Sequence, residues 1–339
     1  MKFENNPDLF LSRAGAASRF VPRDVITQIT NGLGAVTQLG YAPLTNKDVY
    51  RRGSMLYGLN YGRGSPVLDF LAPTYVVFKA SSSAPQAGNP NAMASVYYRY
   101  ASARMQGGGR GFLGYRQIDT FDPNHGNSYI VTSTTYAQNF PYAGMPEATV
   151  KQVVGSAYQV PPCLSGPMTE GCYATPGHAF SPIAGSMFSN SVQQYESDTE
   201  IGSGATTAFA PGVQAPVQVR TMGTQEILRD PFANVQTSKV ATSFDYGAYG
   251  NVSATSVDTY SGTATSPMST VSTVHSYNDT PASWLLGRLT ASTVTHQRSG
   301  RTDVVRKSGF SYAPTTGLLT QERAGAEAGA DQESLKVYG

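Results

Sequence analysis

Phe244-Asp245-Tyr246-Gly247-Ala248-Tyr249-Gly250-Asn251 reads as the end of one strand, a tight turn and the start of another. An aromatic-polar-aromatic run puts two rings on one face of an extended chain, and Gly and Asn tolerate the positive φ that tight hairpin turns demand. The same grammar recurs in Phe121-Asp122-Pro123 to Gly126-Asn127 and in Phe310-Ser311-Tyr312 to Thr316-Gly317-Leu318. In each case alternating Val, Thr, Ser and Tyr residues follow. Repetition of such units predicts an all-β array of consecutive antiparallel hairpins in which each covers its neighbour.

The hairpin grammar extends outward in both directions. Val25-Ile26-Thr27-Gln28-Ile29-Thr30, the turn signal Asn31-Gly32, and Ala35 to Tyr41 form one expected hairpin. Tyr75 to Phe78 reads as a buried strand. Ala94 to Ser102 alternates through Val96, Tyr98 and Tyr100, and Phe112 to Tyr136 gives a strand, a turn and a Ser/Thr-rich strand. From Gln152 to Thr224 the Ser, Ala, Gly and Pro content rises and periodicity fades. The expected organisation is hairpins over 1–150, a linker or insertion over 151–234, repeat-like hairpins over 235–322, and a low-complexity tail over 323–339.

Composition supports this reading. The 339 residues include 35 Gly, 21 Pro and 21 Tyr, and only 14% are charged, below the quarter typical of soluble domains. Such a chain makes many turns and few amphipathic helices. A net charge of +2 supplies no basic field for nucleic acid. No stretch reaches the run of about 20 apolar residues that a membrane helix needs, and Met1 to Asn6 has no secretory character. Cys163 and Cys172 are compatible with one small disulfide or with two thiols; neither has zinc-site spacing.

Enzyme motifs do not survive their context. Gly109-Arg110-Gly111-Phe112-Leu113-Gly114 has the form GxGxxG, but a tyrosine-rich strand precedes it and Tyr115-Arg116-Gln117-Ile118 follows, with no helix to receive a pyrophosphate. A glycine-rich turn is expected there instead. The four histidines, His125, His178, His275 and His296, are scattered, and no nucleophile elbow or phosphate loop is present. Tyr97, Tyr98, Tyr100, Tyr115, Tyr129 and Tyr136 offer rings on which sugars could stack. Cross-strand pairing within the sheet is the stronger reading of them. No residue is read as catalytic, cofactor-binding or metal-ligating. The expected architectural residues are Asn31, Gly32, Gly111, Gly114, Gly126, Gly250, Asn251 and Gly317 at turns, with Phe112, Tyr115, Phe140, Phe244, Tyr246, Trp284, Phe310 and Tyr312 at packing positions.

Asp24 to Tyr50, with Ile29-Thr30-Asn31-Gly32-Leu33-Gly34-Ala35 and Tyr41-Ala42-Pro43-Leu44-Thr45, resembles the segment after the β-propeller in SpvB-type proteins and the B components of insecticidal toxin complexes. Gly109 to Tyr115 with Asp122-Pro123, and then Gln138-Asn139-Phe140-Pro141-Tyr142-Ala143-Gly144, resemble the next stretch of those chains. Phe244 to Asn251 resembles an Rhs or YD repeat, and Trp284-Leu285-Leu286-Gly287-Arg288-Leu289 resembles the element that follows it. The resemblance covers roughly residues 20–150 and 235–322. It implies a section of a hollow YD-repeat β shell that encloses a toxic polypeptide, in a secreted or cell-surface setting. Its implied partners are the remainder of a shell polypeptide, or another toxin-complex component, and the enclosed chain. The family's self-cleaving C-terminal motif has no match, because Asp122-Pro123 and Asp230-Pro231 lack its surroundings, and no toxin domain is expected within these residues. The alternative is a secreted or surface adhesin that uses the same hairpins to bind carbohydrate.

Overall fold

The computed structural model describes residues 22, 24–46, 48–52, 67–125, 128–154, 187–197, 218–325 and 334–338. Over these residues the chain is all-β, with one short 3-10 turn at Pro281–Ser283. It divides into two compact units, Met1–Phe188 with Pro231–Ala233, and Ser189–Asp230 with Asn234–Gly339.

The first unit contains β1 (Gln28–Thr30), β2 (Val36–Pro43), β3 (Tyr50–Arg51), β4 (Val67–Asp69), β5 (Tyr75–Ser83), β6 (Met93–Gln106), β7 (Gly111–His125), β8 (Ser128–Tyr136) and β9 (Pro146–Val154). Antiparallel pairing runs β1, β2, β5, β6, β7, β8, β9. The long strand β6 has three partners along one edge. It pairs with β5 up to Tyr97, then with β3 in parallel at Tyr100 and Ala101, then with β4 from Arg104 to Gln106. The expected hairpin at Asn31 forms with shorter strands, joined by a loop over 31–35.

The registers explain the core. Tyr97, Phe121 and Val131 lie directly opposite one another on β6, β7 and β8, and Phe121 and Val131 are almost wholly buried with Ala42, Val49 and Val154. A second cluster joins Leu44, Tyr50 and Ala103, flanked by Phe70, Val76, Tyr100 and Tyr115. The segment from Leu44 to Tyr50 therefore covers part of the sheet, bringing buried apolar side chains from outside the long strands. The next row of the same registers is polar: Arg99, Asp119 and Ser133 oppose one another. Gln117 Nε2 donates to Asp119 Oδ1 at 2.7 Å. Burial pushes the Asp119 carboxyl up from its ordinary value. It prevails over the hydrogen bonds from Ser133 and Gln117 and over the positive charges of Arg99 and Arg51, all of which favour ionisation.

The second unit is an up-and-down run of β10 (Met187–Ser197), β11 (Val219–Asp230), β12 (Val235–Tyr246), β13 (Val252–Ser261), β14 (Ser269–Thr280), β15 (Leu285–Arg298), β16 (Val304–Tyr312), β17 (Leu319–Ala324) and β18 (Ser334–Val337). Each strand pairs antiparallel with the next. Among the described residues, every core hydrophobic falls in the first unit. In the second unit β13, β14 and β15, rich in Ser and Thr, are instead half-buried along most of their length. Their stability rests on ladder hydrogen bonds and cross-strand pairs such as Lys239 over Tyr260, 3.7 Å from the ring centre.

That difference explains what the sequence concealed. Met187–Ser197 and Val219–Asp230 are strands within the stretch expected as linker or insertion, and Ser334–Val337 is a strand within the expected tail. Period-two hydrophobicity marks a strand with one buried face, and these strands do not bury one. Residues 155–186 and 198–217, which include Cys163 and Cys172, lie outside the described residues, as does the Gly126-Asn127 turn.

Two stability measurements follow. Because the folded state holds the Asp119 pKa above its unfolded value near 3.8, the native state binds the extra proton between the two values. The carboxyl's contribution is thus fully present below the unfolded pKa and lost as pH rises through the folded one. Urea unfolding across this window should show stability falling with pH, and Asp119→Asn should remove that slope. Separately, Gly250 sits at φ 80°, and a Cβ there would lie 2.6 Å from Gln218 Nε2, whereas Gly300, at φ 73°, has open space around it. Because Gln218 is exposed and its amide can swing aside, Gly250→Val and Gly300→Val should each lower stability in thermal unfolding chiefly by the shared backbone strain of about 1–2 kcal/mol.

Candidate functional site

The most regular feature of the chain is a bulge placed immediately before a tyrosine. Between Gly40 and Tyr41, Thr135 and Tyr136, Gln194 and Tyr195, Asp245 and Tyr246, Ser276 and Tyr277, and Ser311 and Tyr312, the ladder skips one residue on the returning strand. The skipped residues are Phe78, Glu147, Met222, Ser253, Thr290 and Thr320 in the same order. A bulge sharpens the local twist and breaks the ladder, leaving backbone groups in need of partners. Two of the skipped residues answer this locally: the Thr290 hydroxyl donates to the Ser276 carbonyl, and the Thr320 hydroxyl to the Ser311 carbonyl, each at 3.0 Å.

The tyrosines supply a second, longer-range link. Tyr246 Oη donates to the Thr221 carbonyl at 2.7 Å, and Thr221 is the residue opposite Tyr195 at the preceding bulge. Tyr277 Oη donates to the Val252 carbonyl at 2.8 Å, and Val252 is the residue opposite Tyr246. The first unit repeats the device, since Tyr100 Oη donates at 2.7 Å to the Val77 carbonyl, opposite Tyr41. Each of these tyrosines therefore ties its own strand to the bulge of the hairpin before it. Burial, reinforced by nearby Tyr115, raises the Tyr100 pKa, and burial likewise raises that of Tyr277. Both hydroxyls stay protonated and able to donate at neutral pH.

Glycines bring the hairpin tips of the second unit together. A Cβ on Gly250 would meet Gln218, one on Gly287 would meet the Asn251 side chain at 3.1 Å, and one on Gly317 would meet Leu285 Cδ2 at 2.7 Å. Each tip rests against an earlier element through a position that a side chain would fill. The two turns close alike: Gly247 N donates to the Asn251 carbonyl and Ala313 N to the Leu318 carbonyl, at 2.8 and 2.9 Å.

The other expected turn residues fall as follows. Asn31 caps its loop, its Oδ1 accepting from Leu33 N and Ala35 N at 3.0 and 2.9 Å. Gly34, at φ 82°, holds the left-handed position there, and Gly32 does not. Gly111 and Gly114 take φ 70° and 88° where β7 leaves its turn. The stretch from Gly109 to Gly114 thus forms the end of a turn and the start of a strand, with no helix.

Among the packing positions, Tyr115 lies 4.8 Å from Tyr100 and 5.5 Å from Phe112, ring centre to ring centre, and Phe70 lies 5.1 Å from Phe112. Phe112 is nonetheless 51% exposed, at the margin of this cluster. The Arg110 guanidinium sits 3.3 Å over the Phe140 ring. Phe244, Tyr246, Phe310 and Tyr312 are half-buried on the ends of β12 and β16, with Arg288 5.9 Å over the Tyr312 ring. Trp284 differs from expectation: it is 82% exposed, at φ 54° just after the 3-10 turn. Its conformation shapes the corner into β15, and it does not serve as a core anchor.

Of the six tyrosines that follow a bulge, the expected list names Tyr246 and Tyr312 and omits Tyr41, Tyr136, Tyr195 and Tyr277. For Tyr277 the signal was available, since His275-Ser276-Tyr277 is itself aromatic-polar-aromatic. Among the described residues, no group of three or more His, Cys, Asp or Glu side chains is arranged to hold a metal. No described helix is long and apolar enough to cross a membrane. Tyr246→Phe and Tyr277→Phe should each lower the urea unfolding free energy by about 0.5–1.5 kcal/mol, the net value of one hydrogen bond. Tyr249→Phe, at an exposed turn, should leave it unchanged.

Comparison with known proteins places these features in context. The family described as the insecticide toxin TcdB middle/N-terminal region matches residues 5–144. The crystal structure of TcdB2-TccC3 has a similar fold, with a TM-score of 0.56 at 8% identity over 88% of this chain. This chain spans 18% of that one. Compared with curated proteins, it matches none. The resemblance to the B component of insecticidal toxin complexes is thereby shown, through the match over 5–144; the SpvB-type resemblance gains no separate support.

Proposed function

We propose that this chain is a non-catalytic wall section of a toxin-delivery shell, of the YD-repeat type, whose polypeptide encloses a toxic cargo outside the cell that makes it. The observation that carries this reading is the hairpin-to-hairpin linkage through Tyr246 and Tyr277. A container needs a sheet that extends by adding like units without a thick core at every step. Repeated tyrosine links and close-packed glycine tips meet that need with local contacts alone. The match of residues 5–144 to the TcdB middle/N-terminal region supports a toxin-complex setting. In this reading the partners are further shell hairpins and the enclosed polypeptide, the setting is extracellular, and residues 235–322 are the repeat portion beside a middle segment over 1–150.

Limited proteolysis of the polypeptide purified from its native source tests the proposal. A wall section should come as part of a particle in which a separate, cargo-like segment resists protease until urea opens the sheet. Equal cleavage of every segment before and after urea would rule out enclosure.

A further inference from the structure

At the end of the β15–β16 hairpin, a cleft of about 600 Å³ is lined by Ser269, Val271, His296, Gln297, Arg298, Arg301, Thr302 and Val304. The backbone brings its basic side chains together. His296 lies opposite Val271 on one side and Val304 on the other, and Arg298 lies opposite Ser269. A turn closed by Arg301 N donating to the Arg298 carbonyl at 3.0 Å, with Gly300 at φ 73°, folds Arg301 back beside Arg298. No carboxylate lines the cleft. The nearest acid in sequence, Asp303, accepts from Gln297 Nε2 at 2.8 Å, and among the described residues neither Arg298 nor Arg301 enters an ion pair. In a chain whose net charge is only +2, two guanidinium groups share one cleft that has no carboxylate among its lining residues.

We propose that this cleft binds a sulfated sugar. Guanidinium forks match the geometry of an oxyanion ester. The cleft is an open one, with His296, Arg298, Arg301 and Val304 exposed, and its volume exceeds what a lone inorganic anion would fill. Its hydroxyl and amide groups, on Ser269, Thr302 and Gln297, suit the hydroxyls of a sugar ring. Among its lining side chains no Phe, Tyr or Trp offers a broad ring on which a nucleobase would stack. The proposal concerns a surface separate from the tyrosine links and does not depend on enclosure of a cargo.

Isothermal titration of the full 339-residue chain with a trisulfated heparin disaccharide tests it. Saturable binding is expected, weakening as salt rises. The double variant Arg298→Gln, Arg301→Gln should lose about tenfold in affinity, the loss of two partly exposed ion pairs, with its thermal unfolding unchanged. Arg306→Gln, on β16 outside the cleft, should bind as the parent does. Equal affinity of parent and double variant would overturn the site, as would an equal loss in Arg306→Gln, which would mark diffuse charge attraction. Within the parent chain alone, binding of the unsulfated disaccharide, of inorganic sulfate or of an acidic heptapeptide as tightly as the sulfated disaccharide would overturn the ligand class. That comparison decides the matter even if the double variant fails to fold.

Discussion

A tyrosine hydroxyl donating to a backbone carbonyl across a bulge is the contact on which the repeated part of this molecule depends. Bulges before Tyr195, Tyr246, Tyr277 and Tyr312 twist each hairpin of the second unit and interrupt its ladder. Left alone, such a site is a weak point, because a disrupted ladder strands polar backbone. Tyr246 and Tyr277 convert it into a joint, each satisfying the carbonyl opposite the preceding tyrosine. The aromatic ring adds buried area, and its reach spans the width of a strand.

The two units use different physics to keep their sheets folded. The first buries Phe121, Val131, Val49 and Leu44, and sets a polar row containing Asp119 beside its apolar one. The cost of burying Asp119 is only partly offset by the Ser133 and Gln117 hydrogen bonds and by the positive charges of Arg99 and Arg51. The second unit has half-buried Ser/Thr strands and depends on pairing between neighbours. Such a sheet is quasi-one-dimensional: each hairpin is stabilised chiefly by those beside it.

Much of this is legible in the sequence, for identifiable reasons. Gly250 and Gly317 are legible as turn residues because tight hairpin turns demand a positive φ that excludes most side chains, and they take φ of 80° and 70°; turn chemistry is local. The Asn31 cap was likewise written within five residues. The strands β10, β11 and β18 were not legible, because alternation reports a buried face and theirs is not a one-sided core. Trp284 misled for a related reason: a large ring suggests packing, whereas its place at a left-handed corner leaves it in solvent. The list of architectural tyrosines was incomplete because the link depends on which residue stands opposite which.

The sequence by itself determined the all-β class, the hairpin grammar and the positions where only glycine or asparagine relieves the backbone, since each of these follows from the sterics of a few consecutive residues. Tertiary structure alone decided the registers, and with them that Thr221 and Val252 accept from tyrosines 25 residues further on. It also decided that Arg298 and Arg301 share one cleft without a carboxylate. Such pairings join residues on different strands, and which strand lies beside which is settled by the ladder as a whole, not by any short stretch of chain.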